Sequence, residues 1–163
     1  MPAPRLHAAV IANRIVEIIE RELSGPMSLK VVSFGALEFY PALENLADNI
    51  PAVFVKPSPS TTLECITTAE TYKITYNFRI VYVKAFSPNE RILLLRTLET
   101  ELIGELLIDN VKLGEFTITN GQVLKARMTT IEWEPPEDNL VATINANLTA
   151  SAVLFTVETT TRK

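Results

Sequence analysis

The chain has 163 residues, a formal net charge of −4, 47% hydrophobic residues and 21% charged ones, which suits about one domain with a single apolar core. With one His, one Cys and five Gly, it cannot build a Cys/His zinc centre, an intrachain disulfide or an Fe–S cluster from one chain. The acidic balance and the scattered Lys and Arg speak against broad attraction to nucleic-acid phosphates or to an anionic lipid surface.

Residues 5–23 are predicted as an amphipathic helix, with Ala8, Ile11, Ala12, Ile15, Ile18, Ile19 and Leu23 on one side and Asn13, Glu17, Glu20 and Arg21 on the other. Gly25 and Pro26 end it. Leu29 to Phe34 reads as a short strand, residues 35–50 as an irregular loop, and Pro51 to Val55 as a second short strand. Pro57-Ser58-Pro59-Ser60 reads as a turn or exposed loop beside a sheet edge. Every threonine lies beyond residue 60, so most of the sheet is expected there.

The clearest strand is 72–83. Tyr72, Ile74, Tyr76, Phe78, Ile80 and Tyr82 alternate with Lys73, Thr75, Asn77 and Arg79, and the apolar face reads as core. A base-stacking platform would need cations among the aromatics, and these point the other way. Ser87-Pro88-Asn89-Glu90 is a capping box that opens a helix over 88–108. Two apolar stripes run along it. Leu95, Leu98, Leu102 and Leu106 form one, and a core-facing helix needs only that. Ile92, Leu93, Ile103 and Leu107 form the other, with Arg96 and Glu99 along the seam. Either the second stripe is sandwiched within the monomer, or it meets a neighbouring subunit.

Glu115 to Thr119, a turn at Asn120-Gly121 and a strand over 122–134 read as a hairpin. Trp133 closes that strand, as a core cap or an interface anchor. After a loop at 135–139 comes a last strand, 140–157, whose apolar set changes parity after Ser151, by a bulge or a change of environment. Its polar face is Thr143, Asn145, Asn147, Thr149 and Ser151. These short uncharged side chains suit a solvent face, a strand pairing with another chain, or the lining of a channel for passing DNA. Residues 158–163 are expected to fray. The whole is expected to be one α+β domain over 1–163: a mostly antiparallel sheet, two α-helices on one face, and a long C-terminal β-hairpin.

No phosphate-binding glycine loop, nucleophile elbow or H-E-x-x-H is present, so no catalytic residue, cofactor or metal is expected. Glu99 with Glu101, Glu132 with Glu134, and Glu137 with Asp138 read as solvated or ion-paired carboxylates. Cys65 reads as a small buried hydrophobe, since a nucleophile there would need His7 alongside. No secretory signal opens the chain and no window approaches the ~18 apolar residues of a membrane span, so synthesis in the cytoplasm is expected.

The order of elements resembles that of the tail terminator (tail completion) proteins of tailed bacteriophages. The resemblance rests on the N-terminal amphipathic helix, the short strand Ile50-Pro51-Ala52-Val53-Phe54-Val55, and the long strand ending Tyr76-Asn77-Phe78-Arg79-Ile80-Val81-Tyr82-Val83. The capped helix and the closing hairpin with its acidic, Trp-containing turn complete it. It covers roughly residues 5–157 and is one of pattern, so no site residue is transferred. It implies a homo-oligomeric ring, typically hexameric, in the tail–neck region of a virion assembled in the host cytoplasm. Such a ring caps the tail tube, ends its polymerisation and offers a surface for head attachment. The implied partners are the tail tube protein, a head–tail connector and, in a contractile tail, the sheath protein. DNA enters only as passing cargo and no membrane is involved. Head–tail connectors and tube proteins share parts of the profile. A different class, a small-molecule or peptide binding module, would use the aromatic face of strand 72–83.

Overall fold

The computed structural model describes residues 7–34, 50–65, 71–85, 92–109, 117–118, 121–133, 135–137, 141 and 148–162. In chain order the elements are α1 (Ala8–Leu23), β1 (Val31–Phe34), β2 (Ala52–Cys65), β3 (Thr71–Ala85), α2 (Ile92–Asp109), β4 (Thr117–Ile118), β5 (Gly121–Glu132) and β6 (Leu148–Arg162). The class is α+β. One six-stranded sheet has the order β1-β2-β3-β6-β5-β4. Only β1 and β2 pair in parallel, and the other neighbours are antiparallel.

The period-two pattern of β3 sets one face of the sheet. Ile74, Tyr76, Phe78, Ile80 and Tyr82 are buried together with Val53 and Val55 of β2 and Val153, Phe155 and Val157 of β6. The apolar stripe of α1, from Ile11 to Leu23, and Ile103 of α2 close the same cluster. Helix α1 lies against β1 and β2, and α2 against β5 and β6. We call this the helix face. Fully burying one aromatic or branched aliphatic side chain is worth about 1.5–3 kcal/mol, so this cluster is the principal source of stability.

A second cluster lies on the opposite face, at one end of the sheet. Ala52 and Phe54 of β2, Val81 and Val83 of β3, and Leu148, Ala150 and Ala152 of β6 meet Ile50 and Val141 there. This explains the change of parity along β6. The ladder between β3 and β6 runs from Thr71↔Arg162 to Ala85↔Leu148 without a break, so no bulge is involved. Even-numbered residues are apolar where the far face is covered, and odd-numbered ones where the helix face is.

The bulges are on β5. Its register against β6 shifts between Val123 and Lys125 and again between Met128 and Thr130, inserting Leu124 and Thr129. Two insertions turn the apolar spacing 123, 126, 128, 131 into a single face. Val123 and Ala126 are buried in the helix-face core, and Met128 and Ile131 pack against it.

Several sequence expectations are corrected. The last strand is described over Leu148–Arg162 and so runs past the expected end at 157, while residues 140 and 142–147 lie outside the described residues. Residues 158–162, expected to fray, are its paired end, with Thr159 and Thr161 buried. Pro57 to Ser60 lie inside β2, at an irregularity opposite β3. They sit beyond Val55, where pairing with β1 ends, so on that side a missing proline N–H costs no ladder bond to β1. Past α1 the chain keeps turning, and Ser28, not Gly25, takes the left-handed conformation with φ 53°. The loop at 35–49 and the capping box at 87–90 fall outside the described residues.

Gly121 belongs to β5, paired with Ile118 and Thr161, so its role is close approach. A Cβ there would stand 2.2 Å from the Thr160 carbonyl oxygen, and backbone cannot yield as a side chain can. At Gly25 a Cβ would meet nothing within 4 Å. Gly121→Ala is therefore expected to cost ~2–3 kcal/mol, as overpacking does, and Gly25→Ala to be near neutral. Urea denaturation of the two variants checks this.

Candidate functional site

Two polar clusters, one on each face of the sheet, fix the surfaces that the molecule presents. The first lies beneath α2. Tyr82 and Lys84 of β3 and Ser151 of β6 share the helix face, since Tyr82 is the cross-strand partner of Ser151. The Tyr82 hydroxyl donates to Glu99 Oε2. Lys84 Nζ donates to Glu99 Oε1 at 2.6 Å, and the hydroxyls of Thr100 and Ser151 meet at 2.7 Å. Burial pushes the Tyr82 hydroxyl well above its usual range, and the neighbouring Glu99 carboxylate adds to that. Farther along the helix, the Cα of Gly104 leaves room for the Met128 sulfur, which a Cβ would approach to 2.6 Å.

These contacts decide which side of α2 faces inward. Glu99, Thr100, Ile103 and Gly104 turn toward the sheet, and their sizes and hydrogen-bonding groups match what lies there. Ile103 is buried in its own chain's core, and Glu99 is held by Tyr82 and Lys84. The second stripe and its seam read from sequence as either sandwiched within the monomer or meeting a neighbouring subunit; these contacts of Ile103 and Glu99 lie within the chain itself. Leu98 and Leu102, assigned from sequence to the core-facing stripe, are instead 53% and 39% exposed. Glu101 and Glu105 are exposed beside them. The spacing 98, 101, 102, 105 is one helical face. A sequence signal for this existed: that face carries two glutamates, whereas the Ile103 face carries Thr100 and Gly104. Ile92, Leu93, Arg96 and Leu107 lie in α2, with side chains outside the described set. Leu106 packs against the core.

The polar strand face, read from sequence as a solvent face, a strand pairing with another chain or a channel lining, is described in part. Ser151 is buried under α2 by its bond to Thr100. Thr149 is half-buried, its hydroxyl donating to the Lys84 carbonyl at 3.4 Å. Thr143, Asn145 and Asn147 lie outside the described residues.

The second cluster is on the far face. Arg79 of β3 donates Nε–H to Glu137 Oε1 at 2.5 Å and Nη2–H to Glu137 Oε2 at 2.8 Å. Its other edge holds Glu132 at 2.8 and 3.4 Å. Two carboxylates thus take one guanidinium, each through two bonds, in the planar geometry that favours arginine over lysine. The clamp pins the segment after β5, with half-buried Trp133 and buried Pro135, to the sheet. Burial pushes the Glu137 carboxyl up, but the Arg79 hydrogen bond, a backbone N–H and the charges of Arg79 and Lys56 outweigh it and hold the pKa below the usual carboxylate range. The Glu137 hydrogen bond raises Arg79 in turn, against its own burial.

Chemically, both clusters bind chain to chain. Glu99, Glu132 and Glu137 are each spent on a cation of the same chain. Among the described residues no group of three metal-ligating side chains occurs, and no helix is long and apolar enough to cross a membrane. His7 is buried, its backbone N–H donating to the Tyr76 hydroxyl at 3.0 Å, and Cys65 ends β2.

No family model matches the chain, and no curated protein matches its sequence. Among solved structures, the fold is similar to that of a chain from the virion of a native gene transfer agent (GTA) particle. The TM-score is 0.55 at 9% identity, and the match covers 94% of this chain and 98% of that one. At that identity the likeness is one of fold.

Glu137 titrates at a lower pH folded than unfolded, so its contribution is complete above the ordinary carboxylate value of ~4.3 and is lost as pH falls through the folded value. Arg79→Ala strands a buried carboxylate and should cost about 3–5 kcal/mol. Glu137→Gln should be less stable than wild type near neutral pH, yet lose less stability between about pH 5 and about pH 3. Thermal melts across that range check both.

Proposed function

We propose that this chain is a structural virion protein and, within that class, a tail terminator: a ring that caps the tail tube, ends its polymerisation and presents a surface for head attachment. The observation that carries the reading is the near-complete mutual coverage with a chain of a virion particle, 94% and 98%. A shared small core element would not give such coverage. The order of elements that resembles tail terminators supports the finer part. An exposed apolar ridge on a helix whose other side is already buried is the kind of surface that assembly covers. Carboxylates committed to internal ion pairs agree with a non-enzymatic role. A hexameric ring contacting tube and connector proteins in the tail–neck region is the arrangement this reading expects.

The binding-module alternative loses its support, because the aromatic face it needs is core. Tyr76, Phe78 and Tyr82 are buried beneath the helices.

Negative-stain electron microscopy of the purified chain, alone and mixed with tail tubes, tests the proposal. Rings with a central hole that sit at tube ends are expected. A protein that forms no rings and leaves tube ends bare contradicts it.

A further inference from the structure

We infer that copies of this chain join head to tail, the outer face of α2 in one copy docking on the basic far side of β5 in the next. The inference rests on the ring reading above and says which surfaces would build the ring. Its first element is the acidic ridge: Leu98 and Leu102, 53% and 39% exposed, flanked by Glu101 and Glu105. Two glutamates four residues apart on one helical face repel each other in the isolated chain. Beside exposed leucines, they suit a partner that brings both apolar surface and positive charge.

The same chain carries such a surface. Cross-strand pairing of Lys125 with Glu158 and of Arg127 with Thr156 puts both cations on the face opposite Val153, Phe155 and Val157. Both are exposed, and Leu124, in the adjoining bulge, is 36% exposed. Lys73 joins them. Two carboxylates share this face with the three cations: Glu158, at loose distances of 3.9 Å from Arg127 and 4.0 Å from Lys73, and Glu64, the cross-strand partner of Lys73, so the patch is net positive on a chain of net charge −4. Each surface offers leucine and charge, and the charges are opposite.

Their placement fixes the symmetry. The ridge lies outside the helix layer and the basic patch on the helix-free side of the sheet, so a two-fold axis would bring like to like. Opposite surfaces on opposite sides of one molecule make a heterologous contact, which closes as a ring or continues as a filament. Direct strand pairing is the poorer route. Among the described residues, β5 beyond its pairing with β4 carries two bulges, and β2 beyond its pairing with β1 carries Pro57 and Pro59, and both devices discourage edge-to-edge addition.

The test uses charge reversal in the full chain, read by size-exclusion chromatography with light scattering. One variant carries Glu101→Lys and Glu105→Lys, the other Lys125→Glu and Arg127→Glu. Each alone is expected to lose the oligomer peak and run as monomer. Mixing the two is expected to restore it, because in an alternating assembly every junction again pairs opposite charges; restoration also shows that both variants are folded. Reversals that leave a wild-type oligomer intact, or a mixture that stays monomeric, overturn this surface assignment while leaving the ring reading in place. A monomeric wild type at every concentration, with and without tail tubes, overturns both.

Discussion

The antiparallel pairing of β3 with β6 runs over 15 residues without a register shift, and the rest of the molecule is arranged around it. Because side chains alternate across a strand, an unbroken ladder fixes for its whole length which residues face α1 and α2 and which face away. The helix face receives the aromatic residues of β3. The far face receives Arg79, Asn77, Thr156 and Glu158 along most of its length, and the smaller apolar cluster near Leu148 at one end. One slip of register would exchange the two sets, burying Arg79 and exposing Phe78.

From that ladder the two polar clusters follow. Tyr82, Lys84 and Ser151 reach up to fix the rotation of α2, and with it the outward face of Leu98, Glu101, Leu102 and Glu105. Arg79 fixes the path of the chain after β5, through Glu132 and Glu137. Neither cluster holds a group poised for chemistry. Both use buried or half-buried charge to select one packing arrangement, a use for which such networks are suited when every member is satisfied. The exposed remainder is a surface with apolar and charged patches on opposite sides of the layered fold.

Much of this was legible in the sequence, and the misses have specific causes. The alternation in β3 and the 3.6-residue period of α1 come from a single buried face each, so periodicity found them. The parity change in β6 was visible, but sequence alone does not tell a bulge from a second covered face. The bulges of β5 hid because they break the alternation that would have marked the strand. Helix α2 is apolar around much of its circumference, so its inward side is set by Thr100, Gly104 and Glu99 meeting Ser151, Met128 and Lys84, partners remote in sequence. Asn120-Gly121 suggested a turn glycine, whereas Gly121 is required by the carbonyl of Thr160, again remote. Strand β6 reaches Arg162 because two neighbours pair with it, which a threonine-rich terminus does not announce.

Head-to-tail self-association through α2 and β5 is the central claim, and covalent trapping tests it most directly. In a Cys65→Ser background, Leu102→Cys and Leu124→Cys are introduced singly and together, and the oxidised proteins are separated without reductant. The double variant is expected to give a ladder extending past dimer to a closed limit, and each single variant to remain monomeric. A double variant with no ladder, or single variants that trap as dimers, would contradict the account, the second by showing like surfaces meeting across a two-fold axis.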